Sequence, residues 1–344
     1  MILFCADGNP EIGSGHIMRC LSIADEANSK GQGCVFITSS DDFGPLIKRK
    51  GHKFICTDSD YRKPDAENVC KLITAYRPQA VVIDSYYIDP GFLSRVLHCN
   101  QDNEGKLLYI DDLAAFSYPC DLLLNYNIYG TEMREKYDAL YSGLSMPKVL
   151  LGTKYAPLRR EFQHLQRREV SKNAKIILIS TGGADPEHIA IDIAEKTSRY
   201  PDYSFHLLIG SLNPDMIRIR TAAKRQKNLT IHENVADMCG LMQSVDVAVS
   251  AAGSTLYELC ATQTPTVTYV AADNQLSGAD SFERHGVMKC AGDIRDKDRP
   301  LFIETLMTSA IEICRDYKQR KDMAEIMAEV VDGRGCMRIV DAIF

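Results

Sequence analysis

The chain has 344 residues, 45% of them hydrophobic and 25% charged, so the composition excludes a disordered or fibrous protein and the length predicts two domains. Its 40 Lys and Arg against 46 Asp and Glu give a net charge of −6, and no basic run stands out, which excludes a dedicated nucleic-acid-binding protein. No window approaches ~18 uninterrupted apolar residues and no signal-like segment opens the chain, so we expect no membrane span and a cytoplasmic protein.

In the first half, short apolar runs rich in β-branched residues alternate with amphipathic segments. The runs are predicted strands: Ile2–Ala6, Cys34–Thr38, Phe54–Thr57, Ala80–Asp84, Leu107–Ile110 and Leu122–Asn125. The segments between them include the predicted helices His16–Ser29, Asn68–Tyr76 and Pro90–Asn100. Apolar strands that alternate with helices indicate a parallel sheet covered on both faces.

The alternation pauses at a basic, polar stretch over 153–174, which is predicted to be a linker or a linking helix, and then restarts. The second half has predicted strands at Lys175–Ser180, Ser204–Ile209, Leu229–His232, Val245–Ser250 and Thr266–Val270. Its predicted helices are Ile189–Ser198, Asp215–Gln226, Val235–Gln243 and Ser254–Ala261, and residues 299–344 are largely helical with breaks at Gly333 and Gly335. We therefore expect an α/β fold with Rossmann-like domains at 1–155 and 156–325, and a tail at 326–344 that packs back on the first domain.

A glycine-containing loop follows the first predicted strand and opens a helix. Gly13 and Gly15 would let backbone N–H groups approach a polar or anionic ligand, and the loop lacks the third glycine of the dinucleotide fingerprint, which argues against a nicotinamide enzyme. His16 follows at the helix N-terminus, where the helix dipole favours a neutral imidazole that can act as a base. The structural alternative is a capping or core histidine.

The first loop of the second half also combines glycines with a helix start. Gly182 and Gly183 follow a predicted strand and are positioned to approach a ligand. The structural alternative is a tight turn in which Asp185 caps the helix and Pro186 occupies its first position, and both interpretations can hold together.

A second loop of small residues in this half suits a diphosphate. Gly253, Ser254 and Thr255 would offer backbone N–H groups, hydroxyl donors and the positive end of a helix dipole. Glu258 lies one turn into that helix, where a carboxylate can accept two hydrogen bonds from a ribose diol. The structural alternative for Glu258 is a capping box with Ser254 or Thr255.

Polar side chains end several other predicted strands. Asn274 and Gln275 follow the strand at 266–270, and their amides can recognise a sugar or a base. In the first half the corresponding residues are Asp84, Tyr86, Asp111, Asp112, Asn125 and Asn127. We expect them to line a ligand cleft between the domains, at the carboxyl ends of the strands. No His or further carboxylate is spaced to complete a metal site with Asp111 and Asp112, so no metal is predicted.

Several of these motifs occur in one order from residue 2 to about 290: Glu11–Arg19, Val82–Tyr86, Ile110–Leu113, Cys120–Asn125, Gly152–Phe162, Gly182–Asp185 and Asp273–Gln275. The two α/β halves resemble the GT-B architecture of MurG-type glycosyltransferases. The motifs themselves resemble the PseG family, the UDP-2,4-diacetamido-2,4,6-trideoxy-β-L-altropyranose hydrolases of pseudaminic acid biosynthesis, and the related SpsG proteins.

This resemblance implies a UDP-sugar hydrolase in which water attacks the anomeric carbon with inversion, without a metal or another cofactor. It implies that His16 is catalytic, that the first domain holds the sugar, and that the second domain binds UDP through Glu258 and its neighbours. Together with the loop glycines, the expected substrate-binding residues are Gly13, Gly15, Asp84, Tyr86, Asn127, Gly182, Gly183, Gly253, Ser254, Thr255, Glu258, Asn274 and Gln275.

Three other functions share this architecture. A GT-B glycosyltransferase would need an acceptor site, and a UDP-sugar 2-epimerase would need further acid–base groups, for which His188 and His232 are candidates. A non-catalytic nucleotide-sugar-binding protein is the third alternative. Product analysis separates them, as free sugar, glycosylated acceptor, epimer or binding alone.

Overall fold

The computed structural model describes residues 1–9, 11–210, 212–296 and 298–344, which form two compact units. Unit 1 comprises Met1–Arg160 and Gly333–Phe344, and unit 2 comprises Glu161–Asp332. Both boundaries lie a few residues beyond the expected 155 and 325. The first lies later because the chain stays in unit 1 through the buried Ala156 and Leu158. The second lies later because the helix Tyr317–Val330 belongs wholly to unit 2.

Unit 1 is built on a seven-stranded parallel sheet with the order β3-β2-β1-β4-β5-β6-β7. Its strands are β1 (Ile2–Ala6), β2 (Cys34–Thr38), β3 (Lys53–Cys56), β4 (Ala80–Asp84), β5 (Lys106–Ile110), β6 (Leu122–Asn125) and β7 (Lys148–Leu151). β1 and β4 are neighbours although two strands separate them in sequence, so the strand order reverses there. α/β proteins bind ligands beyond the carboxyl ends of the strands at such a reversal.

The helices of unit 1 bury apolar side chains against this sheet. They are α1 (Gly15–Ser29), α2 (Gly44–Arg49), α3 (Ala66–Tyr76), α4 (Pro90–Gln101), α5 (Arg134–Leu140) and, from the end of the chain, α13 (Gly335–Ile343). Val69 and Ile73 of α3 and Leu93 of α4 share one core with the strand residues Leu3 and Val81. The β-branched strand residues are buried from both sides, which is the pattern that predicted a parallel sheet.

The last helix, α13, packs within unit 1. Arg338 donates a hydrogen bond to the carbonyl oxygen of Lys154 at 2.7 Å, and Lys30 of α1 forms an ion pair with Asp341. A Cβ atom at Gly335 would lie 2.0 Å from the carbonyl oxygen of Ala156, so only glycine permits this approach.

Unit 2 is built on a six-stranded parallel sheet with the order β10-β9-β8-β11-β12-β13. Its strands are β8 (Ile176–Ser180), β9 (Ser204–Ile209), β10 (Leu229–Glu233), β11 (Val247–Ala251), β12 (Thr266–Val270) and β13 (Lys289–Asp293). Its helices are α6 (Ile189–Lys196), α7 (Met216–Ala223), α8 (Met238–Ser244), α9 (Thr255–Ala261), α10 (Leu276–Arg284), α11 (Arg299–Arg315) and α12 (Tyr317–Val330). The order reverses between β8 and β11, which repeats the pattern of unit 1.

The basic stretch over 153–174 contains two 3₁₀ turns, Thr153–Tyr155 and Arg160–Phe162, and no α-helix, so the linking-helix alternative is wrong. Its second part is bound to unit 2. Arg168 donates hydrogen bonds to Thr264 Oγ1 at 3.0 Å and to the carbonyl oxygen of Val245. The buried Arg320 donates to the carbonyl oxygen of Ser171 at 2.8 Å. The Arg168 side chain and the Ser171 carbonyl thus fasten this part of the stretch to unit 2.

The edge strands β7 and β13 and the short helices α2, α5 and α10 were not predicted from the sequence. Both strands are only partly buried and begin with an exposed or half-buried lysine, and their apolar runs are short: three residues in β7 and two in β13. α10 starts Leu-Ser-Gly-Ala-Asp-Ser, and most of these residues have low helix propensity. Within the described residues, no helix has the length and apolarity needed to cross a bilayer.

Candidate active site

His16 lies where β1 passes into α1, as the second residue of that helix, and its side chain is buried. Its Nδ1 atom lies 2.6 Å from Oδ1 of Asp84, the last residue of β4. Ala6 and Asp84 are register partners at the ends of β1 and β4, so the strand reversal brings these groups together. The Tyr86 ring meets the imidazole edge-on, with the ring centroids 4.8 Å apart.

Arg19 lies one turn after His16 on α1 and binds the same carboxylate. Its Nε and Nη2 atoms donate to the two Asp84 oxygens at 2.5 Å each, a bidentate arrangement. Burial alone would raise the pKa of Asp84, but the Arg19 guanidinium and then His16 hold it well below its usual range. Because an ionised carboxylate only accepts hydrogen bonds, Nδ1 of His16 carries the proton and Nε2 is the basic nitrogen.

A second carboxylate, Asp112, extends this network to the exposed Tyr86 and the half-buried Asn127. Arg19 Nη1 approaches Asp112 Oδ2 at 3.2 Å, and the Tyr86 hydroxyl donates to the same oxygen at 2.7 Å. Asn127 Nδ2 donates to Asp112 Oδ1 at 2.8 Å. Burial opposes ionisation of Asp112, yet Arg19 and then the Tyr86 hydrogen bond lower its pKa. Tyr86 and Asn127 thus connect the buried charges to solvent.

The structure therefore brings together five of the residues predicted to line the cleft or to act in the first domain: His16, Asp84, Tyr86, Asp112 and Asn127. It changes the interpretation of Asp84, which was expected to contact the sugar. The Asp84 side chain is 1% exposed and both its oxygens are bound by Arg19 and His16, so it orients His16 and does not face a ligand.

Arg19 was not among the predicted site residues, and Asp112 was expected to line the ligand cleft but was given no specific role. Arg19 follows His16 by three positions, a spacing that places both on one face of a helix, and this signal was available in the sequence. Asp112 follows β5, the strand next to β4. Asp111 and Asn125 have structural roles instead, since Asp111 accepts hydrogen bonds from the Tyr118 and Tyr137 hydroxyls and Asn125 is fully buried.

The loop before α1 is a tight turn. The Gly13 amide donates to the Asn9 carbonyl oxygen at 2.8 Å, and Asn9 Oδ1 accepts from the backbone amides of Glu11 and Ile12. Gly13 has φ = 76°, which glycine adopts without strain, and a Cβ atom at Gly13 or Gly15 would meet no other atom within 4 Å. The backbone here is open to a ligand.

In unit 2, Gly182 and Gly183 follow β8, and Gly182 has φ = 87°. A Cβ atom at Gly210 would lie 2.2 Å from the Gly183 carbonyl oxygen, so the loops after β8 and β9 pack tightly. α6 begins at Ile189, so Pro186 is not at its first position, contrary to the structural alternative. Asp185 nevertheless accepts hydrogen bonds from the backbone amides of Ile189 and Ala190.

Burial raises the pKa of Asp185 to about 6, because it outweighs the hydrogen bonds from those amides and from Asn213. A folded-state pKa above the unfolded value of 3.8 stabilises the fold below pH ~4, and this contribution is lost as the pH rises through about 6. When the pH is raised from ~4 to ~7, we expect the free energy of unfolding of Asp185→Asn to increase by about 2–3 kcal/mol relative to that of the wild type. Urea unfolding at both pH values measures this, with the exposed Asp202→Asn as the control. A constant difference would contradict it.

The loop before α9 exposes the other predicted UDP-binding groups. Ser254 is exposed and makes no side-chain capping hydrogen bond, so the hydrogen bond that the Ser254 hydroxyl oxygen would accept in a capping box is not formed. Thr255 and Glu258 are half-buried in the first turn of α9, and Gly253 has no atom within 4 Å of an added Cβ.

Asn274 and Gln275 lie in the 3₁₀ turn Asp273–Gln275 after β12. Asn274 is exposed. Gln275 Oε1 accepts a hydrogen bond from the Ala271 amide at 2.8 Å, so this side-chain carbonyl supports the loop. In the described part of the chain, no three His, Cys, Asp or Glu side chains are grouped as metal ligands would be.

The chain is similar to several curated proteins. It is 26% identical over 258 residues to the UDP-2,4-diacetamido-2,4,6-trideoxy-beta-L-altropyranose hydrolase of Campylobacter jejuni, covering 72% of this chain and 85% of that protein. It is 21% identical over 339 residues to the spore coat polysaccharide biosynthesis protein SpsG of Bacillus subtilis, covering 97% and 95%. The predicted resemblance to PseG and SpsG proteins is confirmed.

An uncharacterized protein of Methanocaldococcus jannaschii is 26% identical over 269 residues, which are 75% of this chain. The chain spans about half the length of that relative, 53%. No protein-family model matches the chain.

Solved structures confirm the predicted fold class. MurG of Acinetobacter baumannii matches with a TM-score of 0.66 at 13% identity, covering 99% of this chain and 98% of MurG. A putative UDP-N-acetylglucosamine 2-epimerase of Listeria monocytogenes also gives 0.66, at 11% identity, covering 99% and 95%. The chain therefore has two Rossmann-like parallel-sheet domains with GT-B neighbours.

Proposed function

We propose that this protein hydrolyses UDP-2,4-diacetamido-2,4,6-trideoxy-β-L-altropyranose, or a closely related UDP-sugar, to UDP and the free sugar. The observation that carries the proposal is the buried His16–Asp84–Arg19 arrangement, which leaves Nε2 of His16 as a fixed basic nitrogen. The names of the similar proteins support the substrate class.

In the proposed reaction, Nε2 of His16 accepts a proton from water as the water oxygen bonds to the anomeric carbon. The bond from that carbon to the β-phosphate oxygen breaks, and UDP leaves with the electron pair. Attack opposite the leaving group inverts the anomeric centre. Asp84 stabilises the imidazolium that forms, and a positioned base of this kind contributes typically ~10²–10⁴-fold to the rate.

We further propose that unit 2 holds UDP. The amides around Gly182, Gly183 and Gly253 and the hydroxyls of Ser254 and Thr255 would bind the phosphates and stabilise the departing charge. The carboxylate of Glu258 would accept hydrogen bonds from the ribose hydroxyls. Asn274 and Gln275 would lie near the sugar–phosphate junction, and Tyr86 and Asn127 of unit 1 would contact the sugar.

The proposal is tested by NMR of the protein with this UDP-sugar in the presence of a chelator. We expect UDP and free sugar, with the inverted anomer formed first. A product epimerised at C2, sugar transfer that occurs only when an acceptor is added, or binding without turnover would each overturn the hydrolase proposal.

Glu258→Gln is expected to weaken UDP binding roughly 10–150-fold, because a hydrogen bond to a charged group contributes ~1.5–3 kcal/mol. Titration calorimetry with UDP and with 2′-deoxy-UDP measures the effect. The wild type should prefer UDP, and the variant should lose most of that preference. Glu304→Gln, on the exposed face of α11, is the control. If Glu258→Gln and the wild type discriminate equally between UDP and 2′-deoxy-UDP, Glu258 does not bind the ribose.

A further inference from the structure

Unit 1 contains a cavity of about 170 Å³ that the proposed reaction does not use. It lies at the carboxyl ends of β1 to β4, beside the starts of α3 and α4. Sites that enclose a whole drug-sized ligand measure roughly 300–1,000 Å³, so this one has room for a single substituent of a larger molecule.

The cavity has an apolar floor and a polar wall. Val69, Ile83 and Phe92 are buried and form part of the floor. Asn68 and Ser85 belong to the wall, and the Asn68 side-chain amide makes no hydrogen bond within the described residues. Such a lining matches a small group that has a methyl at one end and an amide at the other.

The cavity and His16 both lie at the carboxyl ends of β1 and β4, on opposite faces of the sheet. Ile83 lines the cavity, and the next residue, Asp84, points to the other face of the sheet and binds His16. At the rim, the Tyr61 hydroxyl donates to Glu11 Oε2 at 2.5 Å, and Glu11 belongs to the loop that leads into α1. A sugar bound beyond these strand ends with its reacting carbon towards His16 would extend a substituent across the edge of the sheet towards the cavity.

The charge of the cavity lining determines which part of a UDP-sugar the cavity can bind. Three acidic residues, Asp7, Asp60 and Asp65, are among those that line the cavity, and no described basic residue is, so a phosphate group is disfavoured there. A neutral substituent of the sugar carries no such penalty.

We infer that this cavity receives one N-acyl group of the sugar substrate and sets the length of acyl group that the enzyme accepts. The inference rests on the proposed UDP-sugar hydrolysis. The floor would bury the acyl methyl, and Asn68 would hydrogen-bond the amide. Asn68 thereby becomes a specificity-determining residue.

The test uses UDP-sugars with the same ring and formyl, acetyl or butyryl groups on nitrogen, and one with free amines. The variants are Asn68→Phe, which fills the cavity, and Asn68→Ala, which enlarges it. Thr74→Phe is the control, because Thr74 is exposed on the same helix and does not line the cavity. Circular dichroism and thermal unfolding confirm that each variant is folded.

One methyl or methylene group in an apolar pocket changes kcat/KM by roughly 10–200-fold. We therefore expect Asn68→Phe to lower kcat/KM for the acetyl substrate at least about tenfold, mainly through KM, and to affect the formyl substrate less. Asn68→Ala should raise kcat/KM for the butyryl substrate relative to that for the acetyl substrate. Thr74→Phe should have the same kcat/KM values as the wild type.

Two outcomes overturn the inference while leaving the hydrolase intact. In one, folded Asn68 variants keep the wild-type acyl selectivity. In the other, the Asn68 variants change kcat/KM most for the free-amine sugar, which would indicate that the acidic residues of the cavity bind an ammonium group. If the wild type hydrolyses none of these sugars, the proposed function itself fails, whatever the variants do.

Discussion

Replacing His16 with glutamine is expected to slow UDP release from the UDP-sugar by ~10²–10⁴-fold, the usual contribution of a positioned general base. Glutamine retains a side-chain amide that can donate to Asp84, so the buried carboxylate keeps a partner, but no basic nitrogen remains to accept the proton from water. UDP affinity should change little, because we assign UDP binding to unit 2. Stopped-time assays of UDP release and calorimetric titration with UDP measure the two quantities.

His52 provides a matched control. It is a second buried histidine of unit 1, and its Nε2 atom lies 3.0 Å from Oδ1 of Asp25. It precedes β3, at the opposite end of the strands from His16, so His52→Gln should retain catalysis in the folded protein. If His16→Gln keeps nearly full activity, or if both variants lose it equally, His16 is not the base.

The strands and the candidate catalytic residue were predictable because their signals are local. Runs such as Ala80–Ile83 are apolar throughout, and the bounds of all six predicted strands in unit 1 agree with the structure to within one residue at each end. His16 stood out because it follows a glycine-containing loop at a strand–helix junction.

The partners of His16 were harder to predict, because they depend on topology and burial. Asp84 lies 68 positions from His16, and the two meet only because β1 and β4 are adjacent. Composition gives no reason to expect a charged residue like Arg19 to be buried, since an arginine is rarely buried without a partner. One of its two carboxylates ends β4 and the other follows β5, so the reason for its burial exists only in the folded unit.

The charge of Arg19 explains how two carboxylates can be buried beside a histidine. Desolvation would favour protonated Asp84 and Asp112, and a neutral Asp84 would no longer fix the Nδ1–H form of His16. Arg19 donates to both, so the site retains its ionised carboxylates at neutral pH. The catalytic role proposed for His16 therefore depends on a residue that need not touch the substrate.

Arg19→Met should destabilise unit 1 by about 3–5 kcal/mol at pH ~7, since removing one partner of a buried ion pair leaves uncompensated charge. Methionine retains much of the side-chain volume, so the loss reports mainly the charge and its hydrogen bonds. Urea unfolding, followed by circular dichroism, measures the free energy. Arg134→Met is the control, because Arg134 forms an exposed ion pair with Asp138 four residues away, and such pairs contribute ~0.3–0.5 kcal/mol.

The pH dependence separates this explanation from simple loss of packing. In the wild type, the lowered pKa of Asp84 contributes stability above its unfolded value of 3.8, and this is lost as the pH falls through the folded-state pKa. Without the guanidinium, burial dominates and raises the pKa of Asp84. As the pH falls towards ~4, Asp84 of the variant is protonated and its uncompensated buried charge is removed. The difference in stability between the wild type and Arg19→Met should therefore shrink on acidification. If Arg19→Met lowers the free energy of unfolding equally at pH ~7 and pH ~4, Arg19 stabilises unit 1 by packing and not by its charge.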